Sequence, residues 1–181
     1  MNSRLIIILS VFLIIILAAG CGSKYKTPAD IKDKVAWLDS RSALPMFPFG
    51  TNPIYLYFTA NWCTVSHQMN EDIFSRPEII AYLNNNFTCI SVILDSIDSV
   101  RFLGEFVTPL RFREIFKIEG YPVHYFFDDA GNFKKARFGY VELLPLKQTL
   151  KYLAEGYAEK MDFDTFMQLP ASRLDTIYGE F

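Results

Sequence analysis

Apolar positions along this chain recur with three different rhythms, and each predicts a different kind of element. Leu5 to Ala19 is continuously apolar apart from Ser10, with Arg4 before it and Ala18-Ala19-Gly20 after it. A helix that spans a bilayer needs ~20 such residues, so this shorter run has the layout of a secretory signal peptide. Between Pro28 and Leu44, Ile31, Val35 and Leu38 fall at helical spacing beside Trp37, which predicts a helix. The prolines and glycine of "PMFPFGTNP" end it. "IYLYFTA", residues 54–60, is apolar and aromatic almost throughout, as in a strand covered on both faces. A helix is expected to start at or near Cys63. A second is expected at "SRPEIIAYLNNNF", with Ser75 as N-cap, Pro77 in the first turn and Glu78 completing a capping box. Ile79, Ile80 and Leu83 form its apolar face, and Asn84 to Asn86 close it. "FTCISVILD", residues 87–95, is another buried-type strand, so the two strands should pair in parallel through a right-handed crossover. Residues 95–108 read as loop. Leu110, Ile115 and Ile118 suggest a helix of about three turns. "GYPVHYFFDDAGNFKKARFGY" reads as strand, turn at Asp128 to Asn132, strand. Leu143, Leu146, Leu150 and Leu153 mark one face of a last long helix, and "DFDTFM" in the tail reads as a short one.

Composition narrows the functions available. At 181 residues the chain fits one domain plus an extension. A net charge of −2 gives no basic surface for nucleic acid. The stretch "LAAGC" resembles a bacterial lipobox, which implies that Cys21 is lipidated and becomes the new N-terminus. A plain membrane anchor or an ordinary cleavable signal is the alternative. Gly22 stands where an inner-membrane retention signal would have aspartate, so the resemblance implies an outer-membrane anchor facing the periplasm. The expected boundaries are a signal peptide at 1–20, a tether at 21–29, a domain at 30–157 and an extension at 158–181.

The chemistry concentrates at "TANWCTVSHQM", Thr59 to Met69. Cys63 follows a predicted strand and opens a predicted helix, whose first N–H groups lack backbone partners and favour negative charge. A thiol placed there ionises more readily, and Trp62 would shield one side of it. "IYLYFTANWCTVSHQM", "FKIEGYPVHYFFDDAGN" and "KARFGYVE" resemble, in order and spacing, successive blocks of the thioredoxin superfamily. The likeness is greatest to envelope members: the SoxW-like group and the C-terminal domain of the membrane thiol:disulfide interchange reductase. It runs from about Asp30 to about Phe166. It implies an α/β thioredoxin fold, a mixed central sheet of four to five strands with helices on both faces.

The resemblance also assigns roles. Cys63 matches the attacking cysteine, and Pro122 matches a cis-proline facing it. Tyr121 would then offer its backbone to a bound peptide by strand addition. Without the other blocks, Tyr121-Pro122 would read as an ordinary turn. Two positions depart from the family pattern. Ser66 stands where a second, resolving cysteine is expected; its hydroxyl cannot form a disulfide but can hydrogen-bond to the Cys63 sulfur. Tyr57 stands where many members bury an aspartate that serves the resolving thiol. His67 lies four residues after Cys63 and could support it as a cation, or be an exposed histidine without a role. His124 reads as structural. Two histidines and one thiol do not make a zinc site, and no cofactor is implied. Cys89 lies five or six residues short of the end of its strand. At ~3.3 Å per residue it is well over 10 Å from Cys63, beyond the ~7 Å Cα separation that a disulfide allows. Cys63 should therefore be a lone thiol.

Two functions fit. The first is thiol–disulfide exchange through one cysteine, with protein thiols or disulfides of the envelope as partners, a small-molecule thiol as a further one, and the membrane engaged through the N-terminal lipid. The alternative is a redox-inactive module that holds a peptide or protein in the groove by Trp62, Tyr121 and Pro122. A peroxide-reactive cysteine ranks below both, because no peroxidase-type motif surrounds Cys63.

Overall fold

The computed structural model describes residues 33–169. The signal peptide, the lipidation site at Cys21 and the tether lie outside the described residues, as does the chain beyond Leu169. Ile54–Thr59 forms β2, and all six of its residues are buried. It is central because both of its edges are occupied: β3 (Thr88–Ile93) pairs with it in parallel and β6 (Val123–Phe127) antiparallel. With β1 (Leu38–Asp39) and β7 (Phe133–Phe138) outermost, the sheet is five-stranded in the order β1-β3-β2-β6-β7. The alternation of β2 sorts two cores. Tyr55 and Tyr57 enter one, with Met69 and Ile73 of the α2 region (Thr64–Asp72), Ile79 and Leu83 of α3 (Pro77–Asn86) and Leu146 and Leu150 of α5 (Leu143–Ala154). Ile54, Leu56 and Phe58 enter the other, with Ala43 of the short α1 (Ser40–Ala43) and Phe112 of α4 (Pro109–Ile115). Helices thus cover both faces, as expected. The last helix, α6 (Phe163–Met167), sets the fully buried Phe166 against Tyr152 of α5.

Three local expectations are corrected. Within residues 33–44 the predicted helix is absent, save the single turn of α1. Leu38 instead pairs with Ile90 and Asp39 with Ser91. Trp37 is inserted among Tyr55, Tyr57 and Phe74, with ring centroids 5.3–5.4 Å away. Asn84 side-chain oxygen accepts from the Ala36 N–H (2.7 Å), and its amide donates to the Lys34 carbonyl (3.1 Å). Those bonds hold the backbone extended, and aromatic burial outweighs a weak helical period.

The capping box is not formed either. Arg76 is the N-cap of α3, Pro77 occupies the first turn, and the Ser75 hydroxyl donates backwards to the Glu71 carbonyl (2.5 Å), closing α2. Proline at the first helical position needs no N–H and is already set at a helical φ, which compensates for the missing side-chain cap.

The expected loop at 95–108 contains a hairpin, β4 (Val100–Phe102) with β5 (Glu105–Val107). Its two turn residues, Leu103 and Gly104, both have positive φ (50° and 89°), the backbone hand that matches strand twist in a two-residue hairpin. Val100, Phe102 and Val107 are buried against the second core.

The predicted turn at Asp128 to Asn132 is present, with the Asp128 carboxylate accepting from the Asn132 N–H (2.7 Å). Gly131 there has φ +85°, and a Cβ on it would lie 2.9 Å from Pro48 Cβ and 3.1 Å from Phe47 Cε1. Gly131→Ala should therefore destabilise the fold by about 2 kcal/mol or more, combining left-handed strain with overpacking. Urea denaturation measures this, and an unchanged midpoint would contradict the packing described.

Candidate functional site

Beyond the end of β2 the chain makes a tight turn. The Cys63 N–H donates to the Ala60 carbonyl (3.0 Å), and the Cys63 carbonyl accepts from the His67 N–H (3.1 Å). Cys63 is the N-cap of α2, and its sulfur accepts from the Ser66 N–H at 3.4 Å. Sulfur here does what the oxygen of serine or aspartate does at most N-caps: it satisfies one of the helix's free donors.

Cys63 is only 5 % exposed, yet it belongs to neither apolar core. Cys89 does: it pairs with Tyr55 inside the sheet, and burial pushes its thiol well above the ordinary range. Both cysteines are free, so the predicted absence of a disulfide between them holds. The structure therefore separates a thiol held by polar backbone from one held in hydrocarbon.

Trp62 is 70 % exposed and meets the Tyr121 ring edge-on at 5.7 Å. The Tyr121–Pro122 peptide is cis, as the resemblance implied. Trp62, Cys63, Tyr121 and Pro122 thus lie together at one end of the sheet. Tyr121 titrates above its usual value because of burial; Arg113 opposes that shift, while Asp95 and Cys63 reinforce it.

Two expected contacts take another form. The Ser66 hydroxyl does not bond to the sulfur; its backbone N–H does, and the hydroxyl is buried beside the Tyr57 hydroxyl without a hydrogen bond of full geometry. The imidazole of His67 is exposed and donates from Nε2 to the Asn61 carbonyl (2.8 Å), bracing the turn that carries Cys63.

Asp95 is a residue that sequence reasoning passed over. Both of its carboxylate oxygens accept from the Asn61 N–H (3.1 and 3.0 Å), and Ser96 Oγ accepts from the Asn61 amide (2.7 Å). The parallel register sets Thr59 beside Ile93, so an acid just past the end of β3 must fall beside the Cys63 turn. That placement was available from the predicted parallel pair.

Behind the site, His124 is completely buried. Its Nε2 lies 3.0 Å from the Gly139 carbonyl, which can only accept, so Nε2 carries the proton. Nδ1 then accepts from the Tyr55 hydroxyl at 2.6 Å. The Gly139 N–H in turn donates to the Pro122 carbonyl (2.8 Å), which ties this buried pair to the cis-proline loop. The structural reading of His124 agrees with this geometry.

Burial lowers the His124 pKa from 6.5 to about 4; the Gly139 carbonyl opposes the shift and Arg137 adds to it. The unfolded chain therefore takes up a proton that the folded chain refuses. The resulting stability is complete above pH 6.5 and is lost as pH falls toward 4, by about 3 kcal/mol. His124→Gln should flatten that part of the stability–pH curve. Urea titrations between those two pH values would show it, and an unaltered slope would contradict the assignment.

Among the described residues, no group of three or more His, Cys, Asp or Glu side chains is placed to hold a metal ion.

Comparison with known proteins agrees with this architecture. Residues 44–154 match the family model described as a thioredoxin-like domain. A thioredoxin-fold protein from Helicobacter pylori superposes with a TM-score of 0.63 at 16 % identity, covering 84 % of this chain and 97 % of that one. A thioredoxin from Thermus thermophilus gives 0.53 at 20 % identity, covering 68 % and 89 %. A DsbH oxidoreductase gives 0.51 at 16 % identity, covering 78 % and 98 %. At these identities the superpositions speak for the fold. No curated protein sequence matches the chain. The matched segment covers more than half of the sequence and takes in β2, the Cys63 turn and the cis-proline loop, so the chain belongs to the thioredoxin-like domain family.

Proposed function

We propose that this protein carries out thiol–disulfide exchange through Cys63 alone, as a lipid-anchored protein of the bacterial envelope. The observation that carries the reading is a free sulfur at the N-cap of α2, beside an exposed Trp62 and a cis-proline loop, with Ser66 where a second thiol would stand. The thioredoxin-like fold suggests oxidoreductase chemistry of the thiol–disulfide type, and a DsbH oxidoreductase is among the proteins that share it. Cys63 thiolate attacks a client disulfide R–S–S–R′, forms Cys63–S–S–R, and releases R′–S⁻. With no second thiol at Ser66, an external thiolate R″–S⁻ attacks the client sulfur. That step yields R–S–S–R″ and returns Cys63 as thiolate. Protein thiols and disulfides are the clients, and a small-molecule thiol can be the external partner.

Lipidation at Cys21, an outer-membrane anchor facing the periplasm and kinship with the SoxW-like group belong to the same proposal. The boundaries 1–20, 21–29, 30–157 and 158–181 do too. Two measurements test it: incorporation of a labelled fatty acid that is lost in Cys21→Ala, and recovery of clients disulfide-linked to Cys63 from acid-quenched envelopes. Clients that survive reducing gels, or no fatty acid on the protein, would overturn it.

A second reading has its own support. The near-complete burial of Cys63 beside a mostly exposed Trp62 suits a groove that holds a peptide without chemistry. Loss of partner capture in Cys63→Ala separates the two.

A further inference from the structure

Two buried hydroxyls adjoin Cys63, Tyr57 Oη and Ser66 Oγ; they lie beside each other, and neither closes a hydrogen bond of full geometry to any group. Each residue is only 3 % exposed. Buried hydroxyls are almost always paired, so two orphans in one place need a physical reason. They are neighbours of each other and of the sulfur. The Ser66 N–H is already 3.4 Å from Cys63 Sγ. Burial raises the Tyr57 pKa to about 12, with the Ser66 hydroxyl opposing and Cys63 reinforcing the shift.

The Tyr57 ring cannot swing away. Trp37 stacks on it at 5.4 Å, Phe74 meets its face edge-on at 5.3 Å, and His124 lies across it at 5.2 Å. What remains free is rotation of two O–H bonds and of the Ser66 side chain.

We propose that Tyr57 and Ser66 form a positioning relay that closes on Cys63 when its sulfur becomes an anion: Ser66 O–H donates to Sγ, and Tyr57 O–H donates to Ser66 Oγ. The inference rests on the single-thiol reading above and extends it to the step that releases the client. A thiol or disulfide sulfur accepts hydrogen bonds weakly, so the Ser66 O–H has no strong acceptor in Sγ, and nothing aligns the two hydroxyls, while Cys63 is protonated or linked to a client. When R″–S⁻ attacks the client sulfur, the electron pair of the Cys63–client bond passes to Sγ. The thiolate so formed is a strong acceptor, and one rotation satisfies both orphan donors. The relay thus acts on charge that develops during the reaction, not on the resting state.

The other polar groups around the site are engaged elsewhere or lie to its sides. His67 on α2 is held by Asn61, and Asp95 past β3 by the same residue. His124 on β6 bonds to Tyr55 and Gly139, while Tyr121 and Arg113 lie on the cis-proline side.

The test uses the full-length chain in detergent and the variants Tyr57→Phe, Ser66→Ala, Ser66→Thr and Tyr57→Phe/Ser66→Ala. Iodoacetamide labelling of Cys63 is followed against pH. Release of a pre-formed mixed disulfide by a small thiol is followed at pH 7. Tyr57→Phe should slow release about fivefold and move the labelling profile to higher pH, with no further loss when Ser66 is already alanine. Ser66→Thr, which keeps the hydroxyl, should stay near wild type. A profile unmoved by Tyr57→Phe, or losses that multiply in the double variant, overturns the relay and leaves the single-thiol reading standing. A wild-type Cys63 that stays unlabelled in the folded protein overturns both.

Discussion

Cys63→Ala is expected to abolish disulfide-linked adducts and to lower the rate of thiol–disulfide exchange by about a thousandfold or more, to the rate without protein. The effect is this large because the described structure holds no substitute. Cys89 is the other thiol among the described residues, and it lies in the aromatic core at 3 % exposure with its ionisation suppressed by burial. The fold itself should survive. The change removes one sulfur-mediated N-cap, a loss of about 1 kcal/mol by analogy with oxygen caps. The measurement is exchange with a chromogenic disulfide, paired with thermal unfolding to verify the fold. Residual exchange above a tenth of the wild-type rate would mean that Cys63 is not the reacting sulfur. If the wild type forms no adducts and partner capture persists unchanged in Cys63→Ala, the groove binds without chemistry and the second reading prevails.

Ser66→Cys is expected to have the opposite effect, turning a slow, externally released adduct into one released from within. The position is suitable: Ser66 lies one turn into α2, and its own N–H is 3.4 Å from the Cys63 sulfur. The added thiol would be buried at a site with an unpaired hydroxyl, so little packing is disturbed. An intramolecular thiol acts at an effective concentration far above that of any external thiol, and adduct lifetime should fall by roughly a hundredfold or more. Maleimide counting on the oxidised protein should show both thiols protected together. Adducts as long-lived as those of the wild type, or thiols that both remain reactive, would show that the two sulfurs cannot meet.

Much of this site is legible in the sequence, and what is not has identifiable causes. β2 and β3 were legible because strands covered on both faces leave unbroken apolar runs. The Cys63 turn and the cis-proline were legible through motif order. β1 and the β4–β5 hairpin were not, since two or three residues are too few to display a period of two. The start of α3 was misplaced because Ser75 had a competing acceptor, the Glu71 carbonyl, which no local pattern reveals. Tyr57 looked like a mere loss of an acid. Its closeness to Ser66 is visible only once β2 and α2 are folded together, with both hydroxyls buried beside Cys63. Asp95 was within reach, because parallel pairing alone brings it to Asn61.

One margin of the sheet has a consequence for life among many copies. Among the described residues β7 is outermost, and an unpaired strand edge is the kind of surface along which identical chains zip into fibres. Phe133 and Phe138 cap its two ends, but the interior reads Lys134-Lys135-Ala136-Arg137. Lys134 is paired with Asp128 (3.1 Å), whereas Lys135 and Arg137 lie over the Phe163 ring and keep their charge, so two such edges laid side by side would bring like charges near one another. Cations placed along an outer strand are the kind of feature that discourages copies of a chain from pairing edge to edge.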